Sequence, residues 1–197
     1  MTAIAQRSTL STNILALIAV AIVINIVGSQ LNDLVHLPIF LDSIGTILVG
    51  VLAGPVAGGV AGALTNLILG LLVSPVAAAF APVALVIGVA AGLLARAGWF
   101  RTTWQAALSG VVIAAALTVV AVPIRIYLFG GVTGSGADFF VAWLSSVGQT
   151  LVSSVALTVF GTNVADKVVS ALIVWGLVRQ LPERLTAGYG FLRHSKG

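Results

Sequence analysis

Apolar stretches of membrane-crossing length follow one another along this chain, divided by brief polar or Gly-Pro punctuation. Hydrophobic residues run on for many positions without the period-two alternation of a barrel strand, so the pattern predicts spanning helices. The first extends over about 13–30, after Ser11-Thr12-Asn13, residues suited to an N-cap. A polar connector with Asp33, His36 and Pro38 leads to a second helix over about 42–53, which Gly54-Pro55 breaks. Further helices are expected over about 56–72, 79–95, 105–128 and 164–178. Residues 1–197 read as one membrane domain without an internal repeat.

Small residues recur at helical spacing inside these stretches. Gly58/Gly62 and Gly59/Ala63 mark the third helix, and Ala84, Gly88 and Gly92 the fourth. Such stripes let helix backbones approach closely where lipid supplies no hydrophobic drive for association.

Residues 139–160 are long enough to cross a membrane but carry Ser145, Ser146, Gln149, Thr150, Ser153, Ser154 and Thr158. Charge placement bears on this segment. With the N-terminus and Arg7 cytoplasmic, five crossings leave Arg96 and Arg101 inside and the Gly130–Asp138 loop outside. A full crossing by 139–160 would then carry Arg179, Arg184, Arg193 and Lys196 outside, against the positive-inside rule. The preferred fold is therefore an all-α polytopic membrane protein. It is a six-transmembrane-helix bundle with 139–160 as an extra outer-side interfacial or re-entrant segment. Seven crossings are the alternative.

Composition agrees: 59% of residues are hydrophobic and 7% charged, against about 25% charged in a soluble domain. Mean hydropathy is +1.18. The absence of cysteine removes disulfides and thiol chemistry, and two histidines, His36 and His194, cannot build a histidine metal cluster. The +4 formal charge sits in short loops and tails, where topology signals belong, and is not a nucleic-acid footprint. No phosphate-loop motif is present, because the Gly130–Gly136 run lacks the Lys-Ser/Thr ending. Neither a cofactor nor a metal is expected, and the few ionisable groups near helix ends do not make an enzyme.

Polar residues within the apolar segments are the candidate chemistry. Asn25 is open to two readings, a polar residue at the interface or one facing a solute cavity. His36 is an exposed loop histidine or a substrate contact. Asp42 caps the second helix, binds a ligand, or does both. Asn66 needs a partner in its apolar helix: another helix, a water or a ligand. Arg125, with Tyr127 near the far end of its helix, either snorkels to the headgroups or neutralises an anionic solute. Asn163, Asp166 and Lys167 open the last helix, and the charged pair satisfies itself or serves a pocket. Under six crossings these groups fall in the outer half, as a pocket for a polar or anionic small molecule requires.

Phe40-Leu-Asp-Ser-Ile-Gly-Thr46, Gly54-Pro-Val-Ala-Gly-Gly59 with Thr65-Asn66, and Phe160-Gly-Thr-Asn-Val-Ala-Asp-Lys167 ahead of a basic tail carry a resemblance. Over about residues 12–185 the chain resembles the substrate-binding S components of energy-coupling factor (ECF) vitamin transporters. In layout it is similar to the riboflavin-type members, where an asparagine and a lysine also open the final helix. The resemblance implies a six-helix bundle in the plasma membrane of a prokaryote, with both termini cytoplasmic. It also implies capture of a vitamin or related micronutrient from outside. The partners would be a transmembrane coupling protein and two cytoplasmic ATPases, with the S component toppling in the bilayer. Residues 31–41 and 130–160 would cover the bound solute. One departure stands out: Ala16, Ala19 and Ala21 lack the alanine-xxx-alanine spacing by which the family often docks. A solitary permease and a membrane sensor or assembly subunit are the competing readings.

Overall fold

The computed structural model describes residues 11–35 and 40–182, with the side chains of 32–35 excepted. His36, Pro38 and the basic tail beyond residue 182 lie outside the described residues. All regular structure within them is helical: α1 (Thr12–Val35), α2 (Ile44–Ala53), α3 (Pro55–Leu72), α4 (Pro75–Ala79), α5 (Ala81–Arg96), α6 (Thr103–Phe129), α7 (Asp138–Ser146) and α8 (Leu151–Gln180). Four of them, α1, α3, α6 and α8, are long and apolar enough to cross a membrane, while α2 and α5 are shorter apolar helices of 10 and 16 residues. The apolar outer surface, with Leu71, Val119 and Val56 among its most exposed side chains, is that of a membrane protein.

Glycines set the helix register. Along α1 the stripe Ile18, Ala21, Asn25 follows the i, i+3, i+7 rule and faces inward, and the backbone of Ala21 lies directly over Gly45 of α2. A Cβ on Gly58 would lie 2.6 Å from Gly50 Cα and 2.7 Å from the Gly88 carbonyl oxygen. Ala84 meets Gly62, and Gly92 meets Pro55, so the small-residue stripes of α3 and α5 close against each other in antiparallel register. Gly110 of α6 packs in the same way on Lys167 and Val168 of α8. The α2–α3 turn depends on Gly54, whose φ of 96° suits only glycine, followed by Pro55 at the first helical position.

Three boundaries differ from those expected. α2 begins at Ile44 rather than Asp42, and Ser43 at its N-cap makes no side-chain cap bond. A short α4 precedes α5. Most consequential, residues 139–160 and 164–178 are not two segments separated at Gly161. The break falls at Gly148, which has a φ of 91°, and one 30-residue helix runs from Leu151 to Gln180. Asn163, Asp166 and Lys167 looked like the polar opening of a helix. They sit mid-helix and turn inward, at 8%, 0% and 1% exposure, so the polar run does not interrupt the helix.

Candidate functional site

The antiparallel contacts bring the C-terminal end of α1, the starts of α2 and α5, the C-terminal halves of α3 and α6 and the middle of α8 to one end of the bundle. A cavity of about 270 Å3 opens there, close to the lower end of the roughly 300–1,000 Å3 usual for small-molecule sites. Its floor is apolar, with Ile87, Leu117, Ala121 and Val159 prominent, and Phe40 and Phe80 add aromatic surface. Polar groups converge from three helices and two loops: Asp42 and Ser43, Asn66, Arg125, Thr133 and Ser135, and Asn163 with Lys167. The opposite end holds the basic residues, where Arg179 donates to the Arg101 carbonyl at 2.8 Å.

Lys167 is the hub. Its ammonium donates to Ser43 Oγ at 2.7 Å, to Asp42 Oδ1 at 3.5 Å and to Asp166 Oδ2. Three acceptors occupy its three donors, as a buried ammonium requires. Asp166 is fully buried and is not a lining residue. Its other oxygen accepts from Leu41 N at 2.9 Å. That bond anchors the one described non-glycine residue with positive φ, Leu41 at 48°. Asp166 thus fastens the entry to α2 and orients Lys167, and Asp42 serves Lys167 in place of a helix N-terminus.

Arg125 does not reach the headgroups. It is 4% exposed and bonds Gly131 O through Nε at 2.9 Å and Asp138 through Nη2. Asp138 also accepts from Gly134 N at 2.7 Å and Thr133 N at 3.1 Å. Arg125 therefore ties the 130–137 loop over the cavity. Asp138 was not among the residues singled out. The available signal was a lone carboxylate closing a Gly-Ser-rich loop 13 residues after an intramembrane arginine.

Two further candidates lie elsewhere. Tyr127 is 85% exposed on the outer surface of α6. Two residues along a helix turn the side chain through about 200°, so it cannot share the cavity with Arg125. Asn25 is fully buried but outside the cavity. Its amide donates to Thr46 Oγ1 at 2.8 Å and Thr65 Oγ1 at 3.2 Å and accepts from Gly45 N at 2.8 Å, tying α1 to α2 and α3.

The asparagines lining the cavity are less occupied. Asn163 uses Nδ2 on the Val159 carbonyl at 2.8 Å, leaving Oδ1 free. Asn66, 9% exposed, has no side-chain hydrogen bond among the described residues. Its amide opens onto the cavity, where a ligand or water can complete its hydrogen bonding. Among the described residues no three metal-ligating side chains cluster. The chain matches no protein family, no curated protein and no solved structure in comparisons with each.

Proposed function

We propose that this protein captures a small polar micronutrient in the cavity between its helices and serves as the substrate-binding component of an ATP-driven ECF-type uptake system. The observation that carries the reading is Asn66: an unpartnered amide on a nearly buried residue, facing a cavity lined from α1, α2, α3, α5, α6 and α8. A purely structural bundle has no use for that arrangement, whereas ligand sites combine an apolar wall with a few directed polar groups.

Uptake rather than export follows from the charges. Arg96, Arg101 and Arg179 lie at the end of the bundle away from the cavity, and by the positive-inside rule that end faces the cytoplasm. Six crossings by α1, α2, α3, α5, α6 and α8 fit this orientation, with α4 and α7 on the outer side. The sequence contains no phosphate-binding loop, so energy for uptake would come from partner ATPases through a membrane coupling protein.

Purified protein should retain one solute, released on denaturation and identified by mass spectrometry. An empty protein that no vitamin panel stabilises would sink the capture reading. Co-purification with a coupling protein and ATPases is the separate test of the transporter assignment. The chain has no cysteine, so cysteines introduced at Ser135 and Gln180 report topology cleanly. Labelling from the same side would reject six crossings.

A further inference from the structure

Resting on that capture reading, we infer that the cavity selects a neutral-to-cationic ligand rich in N–H donors and rejects carboxylates and phosphates. Arginine and lysine in a membrane cavity invite the opposite conclusion, an anion site. The pairing of the charges decides against it.

Each cation is already matched. Lys167 has its three donors on Ser43, Asp42 and Asp166, and the Asp166 carboxylate cancels its charge at hydrogen-bond range. Arg125 is matched by Asp138 and spends Nε on the Gly131 carbonyl. Both cations are therefore charge-balanced by a carboxylate of the protein, so an anionic ligand would bring a second negative charge to a pair that is already neutral, and could displace Asp138 or Asp166 only by leaving a carboxylate without its partner. What remains uncompensated among the described residues is Asp42. Its side chain is 31% exposed at the cavity, and its bond to Lys167 is long at 3.5 Å. Counted together, the site holds three carboxyl groups, Asp42, Asp138 and Asp166, against two cations.

The free hydrogen-bonding groups have the same bias. Asn163 presents its amide oxygen, with one of its two N–H groups spent on Val159 O. Asp42 presents acceptors only. Asn66 offers both kinds, and the register puts it close to Asp42: Gly62 packs on Thr46, and Asn66 and Asp42 each lie one turn from that contact in antiparallel segments. An amidine, a protonated amine or an amino-substituted heterocycle satisfies these acceptors. Its apolar body would rest on Ile87, Leu117 and Val159, beside Phe40 and Phe80, and aromatic faces also favour a cation.

Benzamidine, benzamide and benzoate have one shape and differ in charge, and each is small enough for a cavity of about 270 Å3. Their binding to the full chain in lipid nanodiscs, read by calorimetry at millimolar ligand, tests the inference. The expected order is benzamidine, then benzamide, then benzoate. Asp42→Asn should weaken benzamidine roughly tenfold or more, the loss expected for a charge-assisted bond, and change benzamide less than about twofold. Asp42→Glu should restore the preference. Benzoate binding as tightly as benzamidine overturns the charge assignment, as does an unchanged benzamidine affinity in Asp42→Asn. If that variant does not fold, the wild-type order alone decides. Asn66→Leu separates this failure from failure of the capture reading. It fills cavity space without altering charge and should weaken all three probes. Binding unaffected by Asn66→Leu, or no binding by any probe, overturns the inference.

Discussion

Replacing Asn25 by alanine separates the two roles open to this residue, because they fail in different measurements. In the wild-type protein its carboxamide accepts from Gly45 N at 2.8 Å and donates to the hydroxyls of Thr46 and Thr65 at 2.8 and 3.2 Å. Gly45 lies in the first turn of α2, where a backbone N–H has no intrahelical acceptor. Without Asn25 that buried donor is orphaned, at about 1–3 kcal/mol. The two threonine bonds add less. Thr65 keeps its own bond to the Ala61 carbonyl at 2.8 Å, and side-chain hydrogen bonds between membrane helices average about 0.6 kcal/mol. The sum is roughly 2–4 kcal/mol of lost α1–α2–α3 association. At about 2–4 °C per kcal/mol for a chain of this size, Asn25→Ala should melt roughly 5–15 °C lower in a detergent-solubilised thermal scan. Solute affinity, measured well below that melt, should stay within about twofold, as Asn25 does not reach the cavity. A variant with wild-type thermal stability and lost solute binding would refute this assignment.

Other substitutions probe separate features. Gly88→Val drives a side chain into the backbone of Gly58 and Gly59 and should abolish folding, while Gly176→Ala, with open space beside it, should melt within about 2 °C of wild type; expression and gel-filtration profiles check both. Lys167→Met strands the fully buried Asp166 and should destabilise by about 3–5 kcal/mol, and the double variant with Asp166→Asn should recover a large part of that loss. Equal melting of the single and double variants would remove the ion pair from the account. Tyr127→Ala should leave solute retention unchanged, because the ring is turned outward from α6.

Much of the helical layout was legible from runs of apolar residues and their punctuation. Gly54-Pro55 marks a break through backbone chemistry, and the structure turns there. The small-residue stripes were legible for a related reason: a missing Cβ at every fourth position signals contact whatever the partner. The continuity of α8 was not legible. From sequence, Asn163, Asp166 and Lys167 are polar residues that should avoid lipid, and a helix start in water satisfies that as well as burial does. Which occurs depends on Ser43 and Leu41, more than 120 positions away. The same holds for Asp42, whose candidacy as a cap rested on adjacent residues while its partner lies on α8. Arg125 looked available for an anion because Asp138 is beyond a loop whose conformation local rules do not determine.

The adjacency of Asp166 and Lys167 has a consequence for biosynthesis. These residues enter the bilayer on the last described helix, after the segments bearing Ser43 and Leu41 have emerged from the ribosome. A lone charge at mid-membrane costs a few kcal/mol on insertion scales. Neighbours in sequence that bond to each other need no tertiary partner to become neutral, so the helix carries its own counterion through the translocon. The long-range bonds to Leu41 and Ser43 then form within the membrane plane, and the pocket is completed only when synthesis of the helical body has finished.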